Sequence, residues 1–597
     1  MPERFPTRPR PTPWFSEVQG MAPGGEPAPS LEDGDRQPLI PRRLAQPGPA
    51  VAWIDVDGDG RDELWVGAFK GARLTGYRAV AGVSGGVRFE PLVAGDAVTP
   101  EAHDMSGLVA VHQATGGVQL LAGVSTYEEG GTNGPAVVRH KLQGAQAGEL
   151  LPGWGASVGP LAMADIDGDG DLDLFVAGRV IPGRYPEAAS SRVYENRAGT
   201  WVLSDENSRR LERAGLVSGA LWTDLDGDGF PELVLACEWG PLKVFHNERG
   251  RLVEATSEWG LERELGWWNG VAAGDFDGDG RIDLVGCNWG TNTRYRASEA
   301  RPRRLLFGDI AGSGGVDLVE AYQAGTAGEW VPERDLAAME RVFPFLRERY
   351  ALHRRYAEAT LGEILGSRID GTRHLEATRL ETTLYLNRGG RFERTELPAA
   401  AQFSPAMAAC VADFDGDGRE DLFLSQNLFS LPQQTPRADA GRGLLLRGEG
   451  QGGFTEVGWE EGGIEIYGEQ RGCAAGDFDG DGRVDLAVAQ HGAATRVFRN
   501  LGGTVGLRVR ARAGEGNPDG IGARLRLEFG SGWGPVREIR AGSGSGSQDS
   551  PVQVLGTPST PRRIEVLWPG GKRTVSELPP GVREITVEPA AGLRVLR

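Results

Sequence analysis

Cysteine, lysine and histidine are all scarce in this chain, and each scarcity closes off a class of chemistry. Four cysteines in 597 residues cannot build a disulfide framework. Cys237 and Cys287 fall at like positions of successive repeats and Cys410 and Cys473 precede two acidic loops, the placement of buried core thiols. The seven histidines, His103, His112, His140, His246, His353, His374 and His491, include no pair at metal-ligand spacing with one another or with a cysteine. No Gly-x-Ser-x-Gly elbow or phosphate-binding glycine loop stands out. No apolar run approaches the length of a membrane-spanning helix, about 18 residues. Met1 to Gly20 carries arginines and prolines but no apolar core, so no secretory signal is visible there. With 64 basic against 83 acidic residues the formal charge is −19, and the 60 arginines and 4 lysines are scattered. A nucleic-acid partner, which needs a basic footprint, is therefore not expected.

What the chain has in excess is glycine, 91 residues, and one phrase written six times: Asp-x-Asp-Gly-Asp-Gly, then an acid three residues later, then leucine. Counting each copy from its first aspartate, positions 1, 3, 5 and 9 are Asp55, Asp57, Asp59 and Glu63 in the first and Asp165, Asp167, Asp169 and Asp173 in the second. The third has Asp224, Asp226, Asp228 and Glu232, and the fourth Asp275, Asp277, Asp279 and Asp283. The fifth has Asp413, Asp415, Asp417 and Asp421, and the sixth Asp477, Asp479, Asp481 and Asp485. Position 7, occupied by Arg61, Asp171, Phe230, Arg281, Arg419 and Arg483, is placed to offer a backbone carbonyl. Four carboxylates in so short a loop converge on one small volume, and calcium, a hard cation, takes about six to eight oxygen ligands. Gly58 and Gly60 of the first copy stand where the chain must turn tightly, which glycine does without steric cost. The first nine positions match an EF-hand loop, but position 12 is Val66 rather than an acid and the flanks alternate as strands, not helices. The expected cofactor is Ca2+ at about six sites. Six such ions add 12 positive charges to −19, leaving −7, and without them each loop crowds four like charges together, so the metal-free form should be strained.

The loops recur 59, 51 and 64 residues apart where the series is regular, with wide gaps of 110 and 138. Periods of this size indicate a solenoid or propeller. Within the first gap Gly107-Leu-Val-Ala-Val-His and Gly117-Val-Gln-Leu-Leu-Ala-Gly read as a strand pair lacking the acids. A second pair follows most loops, marked by Arg192-Val-Tyr-Glu-Asn, Lys243-Val-Phe-His-Asn, Thr383-Leu-Tyr-Leu-Asn and Arg496-Val-Phe-Arg-Asn. Four short antiparallel strands per unit make a propeller blade.

These loops and flanks resemble the FG-GAP and VCBS repeats of integrin-type propellers and of many bacterial secreted proteins. Gly520-Ile-Gly-Ala-Arg, Arg537-Glu-Ile-Arg-Ala-Gly-Ser-Gly with Ser547-Gln548, and Ile564-Glu-Val-Leu-Trp-Pro-Gly-Gly resemble the ASPIC/UnbV domain, a combination typical of cartilage-acidic-protein-like bacterial proteins. Gly546 and Val554-Leu-Gly-Thr depart from that domain's usual aromatic and Phe-Gly-Leu-Gly segment. The resemblance implies an extracellular or periplasmic location, set against the absent signal, with the cytoplasm as the alternative.

The expected architecture is all-β: a Pro-rich arm over 1–49, a β-propeller over 50–502 and a small ASPIC/UnbV-like β domain over 503–597. The segment 303–381 is an insertion, predicted to hold a helical hairpin split at Pro344. Asp309 to Asp317 imitates an acidic loop but has Ala311 and Ser313 at positions 3 and 5. Counting it as insertion gives seven blades, and counting it as a blade gives eight. The arm reads as disordered or loosely docked, or as the strand that closes the ring. Trp239, Trp267, Trp268 and Trp289 cluster in consecutive repeats beside Glu238, Asn269 and Asn288, an arrangement that serves either ligand stacking or packing between blades. Three functions fit: a calcium-stabilised module for a protein or glycan ligand, a structural spacer, or an enzyme using the central pocket. The last, a lyase or natural-product biosynthetic enzyme, is implied by the association of the UnbV name with enediyne clusters.

Overall fold

The computed structural model describes residues 12–21, 36–82, 86–92, 100–113, 116–130, 134–142, 145–432 and 434–597. Among the described residues seven antiparallel sheets share one four-strand build; six run in chain order from the first strand outward, the fourth adding a short strand Gly266–Trp267, while the seventh takes its outer strand from the N-terminal segment. Their first strands are Val51–Ile54, Asp104–His112, Ser157–Ala164, Leu216–Thr223, Gly270–Gly274, Ala406–Ala412 and Glu469–Gly476. Each first strand packs against the next, and that of the seventh sheet packs against that of the first. These strands are buried almost throughout, so instead of alternating they read as apolar runs rich in Ala and Gly. Small residues there let neighbouring sheets approach closely.

In six of the seven sheets the acidic loop joins the first strand to the second; the second sheet, Asp104–Pro152, has none. The Asn signature at the end of the third strand has a structural reason. Asn247 Nδ2 donates to the Ile166 carbonyl of the preceding sheet's loop at 2.9 Å, Asn387 Nδ2 to Leu225 at 2.8 Å and Asn500 Nδ2 to Phe414 at 2.7 Å. These three repeats are thus stitched to the loop before them.

The N-terminal stretch is not loosely docked where it is described. Phe15–Val18 pairs antiparallel with Ala493–Asn500 as the outer strand of the seventh sheet, and Leu39, Ile40, Leu44 and Ala45 are buried.

The insertion also departs from expectation. It lies between the second and third strands of the fifth sheet, Asp283–Cys287 and Thr383–Asn387, and carries a sheet of its own, ordered Glu329–Pro332, Asp317–Ala324, Arg303–Gly308, Arg373–Ala377. In place of a two-helix hairpin there are four short helices, Leu336–Val342, Phe345–Arg349, His353–Ala357 and Leu361–Leu365. Pro344 does separate the first two, but local caps cut the rest: the Asp335 side chain accepts from Ala338 N, and Thr360 with Glu363 forms a capping box. The last residues form two further sheets. Gln553–Leu555, Leu507–Ala511, Glu584–Glu588 and Gly592–Val595 make one, and Gly532–Trp533, Arg524–Phe529, Arg563–Leu567 and Arg573–Glu577 the other. Leu507, Val509, Leu525 and Val566 share a core with Val109, Leu161 and Val176 of the second and third sheets.

Candidate metal centres

Each acidic loop is folded by its own carboxylates. In the first, Asp55 Oδ1 and Oδ2 accept from Gly58 N and Gly60 N at 2.7 and 2.8 Å, Asp57 accepts from Asp59 N and Asp59 from Arg61 N. The position-9 acid closes the turn, Glu63 Oε2 accepting from Val56 N at 2.8 Å. All six copies repeat that last bond, from Ile166, Leu225, Phe276, Phe414 and Phe478 N to Asp173, Glu232, Asp283, Asp421 and Asp485. Gly58 and Gly60, at φ 79° and 89°, take the left-handed backbone that the turn demands.

The consequence is a cluster of oxygens. Asp55, Asp57 and Glu63 bring one carboxylate oxygen each within 4.8 Å of one another, as do Asp165, Asp167 and Asp173, Asp224, Asp226 and Asp228, and Asp275, Asp277 and Asp279. Burial, reinforced by the neighbouring carboxylates, pushes Glu63, Asp275 and Asp413 up to about 7 and Asp173 and Asp283 up to about 8, with Asp421 and Asp485 also raised. Asp275 Oδ1 is buried with no hydrogen-bond partner. An all-oxygen donor set, strained by its own charge and holding an orphaned acceptor, fits a hard divalent cation. Of the position-7 side chains, Arg281, Arg419 and Arg483 fold back onto the position-5 aspartates, and Phe230 is buried.

The loops are not equivalent. In the fourth, fifth and sixth, an arginine of the third strand or the turn after it also meets position 3: Arg388 with Asp277 at 2.5 Å, Arg447 with Asp415 at 3.0 Å, Arg499 with Asp479 at 2.6 Å. In the third, His246 Nδ1 lies 3.0 Å from Glu232 and 3.6 Å from Asp226. Asp57, Asp59, Asp167 and Asp169 have no ion-pair partner among the described residues.

Sequence reasoning missed the arginines that reach these loops from the C-terminal sheets. Arg508 pairs with Asp477, and Arg524 Nη1 lies 2.9 Å from Asp224 Oδ2. Arg510 donates to Gly60 O at 2.6 Å and Arg524 to Gly280 O at 2.9 Å, while Val536 N donates to Asp275 Oδ2 at 2.9 Å. The i, i+2 spacing of Arg508 with Arg510 and Arg524 with Arg526 was the available signal, since it puts both side chains on one face of a strand.

It also missed a segment that meets the first strands of five sheets. Leu108 N donates to Gly546 O, Met163 N to Ala541 O and Val271 N to Gly544 O, at 2.8, 2.9 and 3.2 Å. Ala110 N donates to Gln548 Oε1 and Gln548 Nε2 to Ala110 O, at 2.9 and 2.7 Å, while Gln548 N donates to Val51 O and Ala475 N to Asp549 Oδ1. The close fit requires Gly544, at φ 88°, because a β-carbon there would lie 1.6 Å from the Val271 carbonyl oxygen.

The four tryptophans do not line a surface. Trp239, Trp267 and Trp289 pack with Tyr295 and with Leu305, Leu336 and Phe343 of the insertion, and Trp268 is fully buried against Tyr385 between the fourth and fifth sheets. The insertion covers Trp239, Trp267 and Trp289, and Trp268 is enclosed between the sheets. His491 meets Phe69 edge-on at 5.3 Å.

Sheets and loops define an all-β repeat protein with acidic turns between paired strands. Residues 165–235 and 224–286 match the model of the FG-GAP-like repeat, and residues 513–594 that of ASPIC and UnbV. The chain thus carries FG-GAP-like repeats and, at its C-terminus, an ASPIC/UnbV domain. No curated protein matches it. Among solved structures, Saccharomyces cerevisiae Sqt1 is 11% identical, with 67% of this chain and 97% of that one covered at a TM-score of 0.24. The Niastella koreensis GH74 enzyme is 11% identical, with 89% and 99% covered, also at 0.24. Likeness that slight carries no argument about fold or chemistry. No helix among the described residues is long and apolar enough to cross a membrane.

Proposed function

We propose that this chain is a calcium-stabilised, seven-bladed β-propeller that binds an anionic protein segment or acidic glycan without chemistry on it. The carrying observation is the set of carboxylate triads within 4.8 Å in loops that repeat one hydrogen-bond plan. Positions 1, 3, 5 and 9 would hold the ions by their side chains and position 7 by its carbonyl, and the bound metal supplies charge neutralisation that lets the turns pack. Seven sheets whose first strands neighbour one another in cyclic order, the seventh completed by Phe15–Val18, support the ring. Calcium loops of this kind suit the millimolar calcium found outside cells, which favours an extracellular or periplasmic site of action.

An open groove of about 450 Å3 on the insertion is lined by Arg294, Arg296, Arg301, Arg303, Tyr322 and Glu333; Glu333 pairs with Arg294 and Arg303, so it is Arg296 and Arg301 that support an anionic ligand. The enzyme reading needs a central pocket, and between Arg42–Ala50 and Ser545–Gly546 the space there is only about 100 Å3.

Elemental analysis of the purified protein, with thermal unfolding in calcium, magnesium and chelator, tests the metal. Calcium in several-fold molar excess over protein and a midpoint that falls on chelation are expected, and magnesium should restore it poorly. Absence of calcium with an unchanged midpoint overturns the reading. A glycan array and a peptide panel then test the groove, where Arg296→Ala with Arg301→Ala should abolish capture at unchanged calcium content. Turnover of a captured molecule would favour the enzyme.

A further inference from the structure

The centre of the molecule holds a second cluster of charge, of opposite sign to the loops. The cavity of about 100 Å3 between the N-terminal segment and the C-terminal domain is lined by four arginines, Arg42, Arg43, Arg179 and Arg471, and by no acid. Two carboxylates stand behind Arg42, Arg179 and Arg471, and a third, Glu128, faces Arg43. Glu238 pairs with Arg179 and lies 3.9 Å from Arg42, and Glu469 pairs with Arg471. Arg42 Nη1 donates to Asn269 Oδ1 at 2.6 Å and Tyr185 Oη donates to Glu238 at 3.0 Å, so the acids and the amide are already engaged. Four donors are left over: Arg42 Nε, Arg179 Nη1, Arg471 Nε and Ser545 Oγ are buried without a hydrogen-bond partner. A buried donor without an acceptor costs about 1–3 kcal/mol, and more when it is charged.

We infer that this cavity is a binding site for a small oxyanion, a sulfate-, phosphate- or carboxylate-sized group held by Arg42, Arg179, Arg471 and Ser545. Neutral water could accept from these donors but would leave the excess positive charge uncompensated, and buried charge without a partner is costly. Guanidinium forks match the paired oxygens of such an anion, and the space exceeds the roughly 10–15 Å3 that one water needs. The four residues come from the N-terminal segment, the third sheet, the seventh sheet and the C-terminal domain. A bound anion would therefore tie together parts of the chain that are otherwise remote, and the site is independent of the groove and of the metal loops.

Titration calorimetry of the calcium-loaded full chain with sodium sulfate tests it, with sodium malonate as the carboxylate arm and sodium chloride at matched ionic strength as the control. Saturable binding of one sulfate or malonate per chain, with a raised unfolding midpoint that chloride does not reproduce, is expected. Arg471→Gln and Arg179→Gln should each weaken it at least tenfold. Because either could disturb folding, Ser545→Ala, which removes one hydroxyl, provides the second variant and should weaken binding severalfold at unchanged calcium content. Absence of saturable binding by either anion, or equal affinity in wild type and all three variants, overturns the inference.

Discussion

Replacing Arg508 with methionine isolates what the C-terminal domain does for an acidic loop. The guanidinium is 3% exposed and the Asp477 carboxylate it pairs with 0% exposed. Arg508 also faces Glu584 at 3.6 Å and donates to the carbonyls of Asp477 and Gly60, both at 3.3 Å. Methionine keeps most of the apolar stem but leaves Asp477 with only backbone donors such as Gly482 N at 2.8 Å. Stripping one partner from a buried pair costs about 3–5 kcal/mol, because the surviving charge stays buried. Taking an unfolding entropy of about 2.1 cal/mol/K per residue, a chain of this length melting as one unit would lose about 2–4 °C. That figure applies to the protein in chelator. A calcium ion in the sixth loop would itself neutralise Asp477, so the calcium-loaded variant should lose about half as much or less. Differential scanning calorimetry of wild type and variant, each with calcium and with chelator, gives the four numbers required. Equal losses with and without calcium would refute a cation at Asp477. A loss under about 1 °C in chelator would refute the buried-pair reasoning itself.

Trp268→Ala should cost about 3–5 kcal/mol in urea unfolding, as a fully buried indole does, and a stable variant would show that its packing has been misjudged. Burial holds the His140 imidazole down to about 4, against about 6.5 unfolded. As pH falls through that window the unfolded chain takes up a proton that the folded chain refuses, so this residue should cost about 2 kcal/mol between about pH 7.5 and 5. Glu101, 3.9 Å away and raised to about 7, works in the opposite sense, losing stability as pH rises from its unfolded value towards 7. His140→Gln should therefore lose less stability on acidification than wild type, and identical losses would exclude the imidazole as the cause. On chelation, hydrogen exchange should accelerate first at Val56–Arg61 and Ile166–Asp171, whose position-3 and position-5 carboxylates lack arginine partners among the described residues. Earlier loss in the fourth to sixth loops would contradict a compensating role for Arg388, Arg447 and Arg499.

What could be read from the sequence was whatever depends on near neighbours along the chain. The acids at positions 1, 3, 5 and 9 bond backbone N–H groups two to seven residues away, so spacing alone predicts the turn. The terminal Asn of the third strand was visible as a signature, although its bond to the preceding loop was not. Long-range partners left no such trace: Arg524 and Asp224 are 300 residues apart, and Gln548 and Ala110 438. The tryptophans were ambiguous for a related reason. Glu238, Asn269 and Asn288 beside them read as a polar ligand frame, yet these side chains serve buried bonds: Glu238 to Arg179 and Tyr185, Asn288 Nδ2 to Arg379 O at 3.2 Å, Asn269 Nδ2 to Ala406 O at 2.9 Å. A polar residue beside an indole looks the same in sequence whether its partner is a ligand or a strand folded over it from a hundred residues away.

The two charge clusters also bear on how the parts of the chain depend on one another. The loops gather negative charge at one end of the first strands, and the C-terminal arginines Arg508 and Arg524 answer it. The centre gathers positive charge, and Glu238 and Glu469 answer only part of it. In both places the protein's own counter-charges fall short of the charge they face, and in both the missing share has a definite sign and a confined volume. Folding free energy that rests on bound ions is set by their concentration as well as by contacts. The junction between the repeats and the C-terminal domain, where Ser545 meets one cluster and Arg508 the other, is then where a change in ionic surroundings would be felt most.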